Sequence, residues 1–587
     1  MNRTGLERLL PLLAIAFVAA YYAFLPASLT FSRGVWVNDE GNRMLQIESF
    51  AGDGGGYLRD PLGGNILPGL APFAPGGYMV REPEQHRIVS GYSEAFPFLV
   101  SPLFRLGGFP LCRVAVLLAG LACSAVVGCI LRNASAGPRR TALGILLTGC
   151  ATPLLFYSGT LLEITLAALL TSLTVLLIQT AWKNGARILW IASGLSASLV
   201  PWFREEGYVA GAAMILSLPL FRREKNGRAG LLFAAGFLPG TAALLLFNEH
   251  RYGTLFGLHH LIYREIQPAS RTAGSILRSV WFFLFEPISK GKSGLFCAAV
   301  CLAILLIPIL LFFWKKAPAH KILTAAALLT AAAAAVNAVV LWSAGDPLEM
   351  TLNAQSLCAT VPFILFPVLF ARRILTDTDP FRKFLLRSVL LASAGIAVLL
   401  EYNTRGMFFG PRHFVLLLPS FAVLAALGAE GISSSKVLCI SFLSVCLLSA
   451  ACQLRGALLL EERKDFGDDL NEICRKDPVP LIMTDVFFVP EELASLGGNP
   501  PVLWIQSEGI PPFRALADLN KLDRFLFLTG ERFSSAPELI PALSEEWRFH
   551  ELGCLEDPNM KILALNIYTV ERVDKNHGKR ADAVQPQ

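Results

Sequence analysis

Charge is scarce in this chain. Of its 587 residues only 16% are Asp, Glu, Lys or Arg, against about 25% in a soluble globular domain. Hydrophobic residues make up 54%, and the mean hydropathy is +0.52. That balance excludes an ordinary soluble enzyme and predicts an integral membrane protein. C-x-x-C pairs are absent from the twelve cysteines, so neither a zinc site nor a dithiol redox centre is indicated. Ten of them (Cys112, Cys123, Cys129, Cys150, Cys297, Cys301, Cys358, Cys439, Cys446 and Cys452) lie in or beside apolar runs, where cysteine serves as a small hydrophobe. Cys474 and Cys554 fall in the polar C-terminal part, within reach of a pairing or as two thiols. Internal repeats and low-complexity tracts are also lacking. Nucleic acid is not an expected partner.

What is present is a series of apolar runs. They fall at 9–31, 109–131, 141–157, 160–181, 188–203, 207–221, 229–247, 294–314, 321–342, 353–371, 386–401, 412–430 and 436–455, which predicts about thirteen spans, some tilted or broken. The opening run, about 20 residues long, has no small-x-small cleavage site and precedes many others. It is expected to be a transmembrane helix rather than a signal peptide. Lys and Arg alternate between successive loops: they gather at 132–140, 183–187, 222–228, 315–321 and 372–387, while 158–159 and 343–352 hold none. By the positive-inside rule the N-terminus is cytoplasmic. The expected location is the inner (plasma) membrane, in multiple passes, with a C-terminal domain outside.

Two outer loops are long, 32–108 and 248–293, and loops of that length commonly carry function. The expected organisation is a membrane domain over 1–460, which includes both loops, then an extracytoplasmic α/β domain over 461–573 and a disordered tail from Asp574. Within the second domain, strands are expected at Pro480–Phe488, Pro501–Ile505, Arg524–Leu528 and Ile562–Val570. Helices are expected at Pro490–Leu496 and Ala536–Glu546.

Asp39 and Glu40 stand directly behind the first span, in Trp36-Val37-Asn38-Asp39-Glu40-Gly41-Asn42-Arg43. They are either a solvated loop pair, a cap on a short helix starting near Gly41, or a functional acid at the membrane mouth. Phe285-Glu286-Pro287-Ile288-Ser289-Lys290-Gly291-Lys292-Ser293-Gly294-Leu295-Phe296 leads into a later span. Its Gly-Lys-Ser mimics part of a phosphate-binding P-loop, but no strand precedes it and Glu286 replaces the first glycine, so that reading is rejected. Phe409-Gly410-Pro411-Arg412-His413-Phe414 opens a late span, with Arg405 upstream. These arginines either snorkel at the interface or bind phosphate through their forked donors. Glu163 opens the span at 160–181, as a helix-terminal carboxylate or a functional acid. Arg204, Glu205 and Glu206 form a short turn, either an ion-paired hairpin or part of a sugar site. His259, His260 and Arg264 are polar groups of the second loop, and the adjacent histidines are a weak metal signal.

An acid just after the first span, a long first outer loop, about thirteen spans and a C-terminal outer domain together resemble the GT-C superfamily. Its members are lipid-phosphosugar-dependent membrane glycosyltransferases, similar to protein mannosyltransferases and aminoarabinose transferases. The resemblance implies a polytopic α-helical membrane fold with a small α/β domain. It implies that Asp39 acts near the acceptor with Glu40 in the same motif, and that a second acid, matched by Glu163, lies nearby. It places the donor phosphate at Lys292, with Lys290 second, and at Arg412 and Arg405. Possible substrate contacts are Arg204, Glu205, Glu206, His259, His260, Arg264 and His413. The expected partners are a polyprenyl-phosphate-linked sugar and a lipid, glycan or protein acceptor, in cell-envelope glycan biosynthesis. Acidic side chains admit Mg²⁺ or Mn²⁺, but the sequence requires no cofactor. The alternatives are a flippase for a lipid-linked saccharide, which predicts inverted repeats and mid-membrane charge, and a non-catalytic scaffold.

Overall fold

The computed structural model describes residues 3–24, 27–52, 54–58, 60–63, 65, 67–73, 79–82, 87–219, 227–260, 272–288, 290–313, 319–343, 354–400, 408–431, 435–497, 499–530, 536–556 and 564–573. Arg405, Arg264 and the tail from Asp574 lie outside them. The chain forms two compact units, one of residues 1–31 and 107–461 and one of 32–106 and 462–587.

The first unit is helical. Each of the thirteen apolar runs carries helix, and among the described residues six helices are long and apolar enough to cross a membrane. Several runs are broken. Run 141–157 divides into Pro138–Cys150 and Leu154–Ser158, and run 353–371 into short turns about Pro362 and Leu365–Leu369. The breaks fall at prolines, which remove a backbone donor and clash with the preceding turn. Helices Arg187–Ser198 and Ala229–Tyr252 pack backbone to backbone through two glycines. A Cβ on Gly194 would lie 2.0 Å from the Phe233 carbonyl oxygen, and one on Gly236 2.0 Å from that of Ile191. Small residues permit such close approach where lipid gives no hydrophobic drive between helices.

In the second unit residues 32–106 group with the C-terminal segment. Helix Asn38–Ala51 follows the first run, and helix Ala95–Asn133 begins within the first long loop. The strands are β1 (Leu70–Ala71), β2 (Met79–Glu82), β3 (Arg87–Ser90), β4 (Ile482–Thr484), β5 (Val502–Ile505), β6 (Arg524–Gly530), β7 (Trp547–Leu555) and β8 (Leu565–Arg572). β2 and β3 form a separate antiparallel pair, and the others form one sheet in the order β1-β5-β4-β6-β8-β7. β4 runs parallel to both β5 and β6. β1, from the first long loop, closes the edge, with Leu70 opposite Ile505 and Ala71 opposite Trp504. One sheet face packs Met483, Leu503, Ile505, Phe525 and Phe527 against Phe513 and Trp547. β4, β5, β6 and β8 match expected strands. β7 and helix Ile510–Leu519 were not anticipated. Cys474 is buried, Cys554 is exposed, and both are free thiols.

Substituting Gly236→Val forces a branched side chain into the carbonyl of Ile191. The expected cost is about 1–3 kcal/mol from overpacking, read as a lower thermal midpoint in detergent, with Gly240→Ala as a milder neighbour in the same helix.

Candidate functional site

In the second unit the polypeptide enters helix Asn38–Ala51 through a buried Trp36 and an extended Val37. Asp39 and Glu40 occupy its first turn, where the helix dipole favours negative charge. Their fates differ. Glu40 is fully buried and turns back across the turn: one carboxylate oxygen accepts from the Trp36 amide at 2.8 Å and the other from Lys464 Nζ at 2.8 Å. The first bond resembles the reciprocal half of a capping box, and the second neutralises the charge out of water. Glu40, expected as a catalytic acid, is therefore engaged on both oxygens, and its position suits clamping the turn rather than meeting a substrate. Asp39 is only half-buried, and its Oδ1 accepts a hydrogen bond from the Tyr92 hydroxyl. The Tyr92 ring also carries the Arg43 guanidinium, 4.2 Å from its centroid.

Behind this turn, Arg463 donates from both terminal nitrogens to the two oxygens of Glu492, a forked pair with one bond of 3.1 Å. Arg463 and Lys464 belong to helix Lys436–Lys476, and Glu492 to helix Val489–Glu492. None of these partners was singled out in the sequence. The available signal was the Glu461-Glu462-Arg463-Lys464-Asp465 run at the end of the last apolar stretch, whose partners lie far away along the chain.

In the first unit the structure gathers five of the sequence candidates. Arg204 donates from Nη1 to Glu163 at 3.3 Å, and from Nε and Nη2 to the two oxygens of Glu206 at 3.1 and 2.6 Å. Glu163 does not cap its helix; its carboxylate turns to Arg204 instead. His413 Nδ1 bonds the same Glu206, while His413 Nε2 lies 3.2 Å from Arg412 Nε. A guanidinium only donates, so Nε2 accepts from Arg412, and Arg204 Nη2 lies 3.3 Å from Nδ1. The Arg412 guanidinium lies over the Phe408 ring, 3.2 Å from its centroid. The segment bearing it is fixed by the Tyr157 hydroxyl, which donates to the Phe409 carbonyl at 2.9 Å. Gly410 adopts φ +68, and a Cβ there would meet Pro153 at 2.7 Å, so the position requires glycine.

The other candidates stand apart from this chain of contacts. The exposed Glu205 pairs with the half-buried His259 Nδ1 at 3.2 Å, and the His260 ring lies tilted against Phe256. Lys290 and Lys292 are exposed where helix Gly291–Phe313 begins. Among the described residues no three His, Cys, Asp or Glu side chains converge as metal ligands, and the Glu205–His259 pair supplies two.

No family model matches the chain, and no curated protein matches it. Solved structures do. The crystal structure of ArnT from Cupriavidus metallidurans bound to undecaprenyl phosphate is similar over 100% of this chain and 100% of its own, at 14% identity and a TM-score of 0.45. The oligosaccharyltransferase AglB from Archaeoglobus fulgidus, in complex with an inhibitory peptide and a dolichol-phosphate, covers 92% of this chain and 72% of its own, at 11% identity and a TM-score of 0.46. The Archaeoglobus fulgidus oligosaccharyltransferase in complex with Zn and sulfate gives 10% identity and a TM-score of 0.48 over 91% of this chain and 71% of its own. ArnT and AglB are GT-C superfamily proteins. At these scores the likeness is loose, and the functional reading below rests on the chain's own residues.

Two substitutions separate clamping from exposed charge. Lys464→Met strands a buried carboxylate and is expected to cost about 3–5 kcal/mol, most of it recovered when Glu40→Leu is added. Lys292→Ala, at an exposed position, is expected to stay within about 0.5 kcal/mol. Thermal unfolding of the purified variants in one detergent checks both.

Proposed function

We propose that this protein is an integral membrane glycosyltransferase, moving a sugar from a polyprenyl-phosphate donor to an acceptor hydroxyl on the extracytoplasmic side of the plasma membrane. One observation carries the reading: of two adjacent acids on one helical turn, Glu40 is buried and ion-paired while Asp39 stays half-exposed on a tyrosine hydroxyl. Such an arrangement holds one carboxylate rigid and presents the other. The loop charge asymmetry supports the sidedness. The membrane setting supports the donor class, because a nucleotide sugar stays in the cytoplasm whereas a lipid phosphate is presented from the bilayer. Undecaprenyl phosphate and dolichol-phosphate, the lipids bound in ArnT and AglB, are of this class.

In the proposed reaction Asp39 accepts the proton of the acceptor hydroxyl as its oxygen attacks the anomeric carbon. The bond from that carbon to the phosphate oxygen breaks, and its electron pair leaves with the polyprenyl phosphate. The departing group gains one negative charge, of the kind that fixed Lys and Arg side chains stabilise. In the first unit Arg412, which donates to the His413 ring nitrogen and lies over the Phe408 face, is the phosphate-binding candidate. Glu163, Arg204 and Glu206 engage one another, so their part is to fix His413 and, through it, Arg412. A single displacement inverts the anomeric configuration.

The test uses the full-length protein in nanodiscs with a panel of undecaprenyl-phosphate sugars, measuring released undecaprenyl phosphate. Asp39→Asn is expected to lower transfer by about 10²–10⁴-fold at unchanged protein level and thermal midpoint. Full activity in Asp39→Asn overturns the role of Asp39. Movement of the intact lipid-linked sugar across proteoliposomes, without release of undecaprenyl phosphate, establishes the transporter instead.

A further inference from the structure

We propose that Tyr92 is a positioning residue for Asp39, and that Arg43 acts on Asp39 through the Tyr92 ring. The proposal rests on the reading of Asp39 as the reactive acid. It adds the means by which a carboxylate at the start of a helix keeps one direction.

Every link is a contact within the second unit. The Tyr92 hydroxyl donates to Asp39 Oδ1. The Arg43 guanidinium lies over the same ring, 4.2 Å from its centroid. Arg43 Nη1 in turn donates to Gln46 Oε1 at 3.5 Å. Asp39, Arg43 and Gln46 stand at i, i+4 and i+7 of helix Asn38–Ala51, so their side chains leave one face. One ring therefore spans a helical turn, with Asp39 at its hydroxyl and Arg43 against its plane.

The ring has a fixed support. Tyr92 is 8% exposed, Arg43 2% and Gln46 wholly buried. Tyr92 follows β3 by two residues, and its amide donates to the Ser90 hydroxyl at 3.3 Å, a local turn at the strand end. β3 is pinned by β2, with Val89 opposite Val80, and by the Leu58 amide, which donates to the Ile88 carbonyl at 2.8 Å. The second torsion of an aspartate is broad and two-fold. A bond on Oδ1 from a fixed donor sets the carboxylate plane, and with it the direction of Oδ2. A cation over an aromatic face is attracted by the ring's negative charge and polarises it. A phenol on a ring so polarised is a stronger donor, and a bond to a carboxylate is already charge-assisted. Arg43 thereby strengthens, through the ring, the bond at its far end.

Difference infrared spectroscopy of the full-length protein in nanodiscs, wild type against Asp39→Asn, isolates the Asp39 carboxylate stretch without turnover. That stretch is expected to move in Tyr92→Phe, which removes the hydroxyl and keeps the ring. It is expected to move the same way, by less, in Arg43→Lys, which keeps the charge and loses the planar guanidinium. A stretch unmoved in Tyr92→Phe overturns the role of Tyr92, and one unmoved in Arg43→Lys overturns that of Arg43. Transfer assays separate positioning from packing. Tyr92→Phe is expected to lower kcat about 10–100-fold with the donor KM within about 3-fold, and Arg43→Lys to lower kcat about 3–10-fold. Both losses are expected to vanish in the Asp39→Asn background, and the Arg43→Lys loss in Tyr92→Phe as well, because residues that act through one group are not additive. A side chain that only packs the unit costs the same in every background, so additive losses overturn the proposal. If the wild-type protein releases no undecaprenyl phosphate from any donor, the functional reading fails, and the infrared stretch still decides whether Tyr92 and Arg43 act on Asp39.

Discussion

A charge withdrawn from water must find a partner, and that requirement organises the polar interior of both units. Transfer of a lone carboxylate into a protein interior costs several kcal/mol, which a well-formed ion pair roughly offsets. Such a pair adds little net stability, but every arrangement that breaks it is heavily penalised. In the second unit Glu40 and Lys464 meet across 424 residues of sequence, both wholly buried. Arg463, the residue before that lysine, is spent on Glu492. Two consecutive cations on one long helix thus receive acids from two different segments. Slipping helix Asn38–Ala51 by one position would strand both Glu40 and Lys464. The pairing selects the register at which Asp39 is presented.

The same constraint produces a different object in the first unit. Arg204 lies between two buried carboxylates, Glu163 and Glu206, and bonds both. Glu206 is shared with His413 Nδ1, and the other ring nitrogen of His413 accepts from Arg412. The buried carboxylates thus reach Arg412 through an imidazole, which fixes its direction.

How much of this the sequence discloses depends on the range of the interaction. Apolar runs report burial by composition alone, and every one of them carries helix. Four strands of the C-terminal segment declare themselves through apolar β-branched and aromatic stretches. β7 does not, because the alternation of Trp547-Arg548-Phe549-His550 stops at Glu551 and the rest of the strand is a half-exposed edge. β1 is two residues long and exists only because β5 offers an edge to pair with. No local pattern announces it, and so the grouping of the first long loop with the C-terminal segment was illegible. The candidate site divides the same way. Glu163, Arg204, Glu206, Arg412 and His413 stand out as ionisable residues flanking apolar runs. Lys464 and Glu492 sit in ordinary charged sequence, and only their partners make them special.

Asp39 and Glu40 show why residue type and neighbourhood alone do not assign a role. Both are acids on one turn, and both gain from the same helix dipole. Successive residues of a helix point about 100° apart, so one faces the protein and the other cannot. The inward acid must be neutralised, and Lys464 does so. The outward acid stays half-buried and accepts from the Tyr92 hydroxyl. The proposed proton acceptor needs both a fixed direction and contact with solvent, and two adjacent acids divide that work: the buried member fixes the turn and the half-buried member is presented by it.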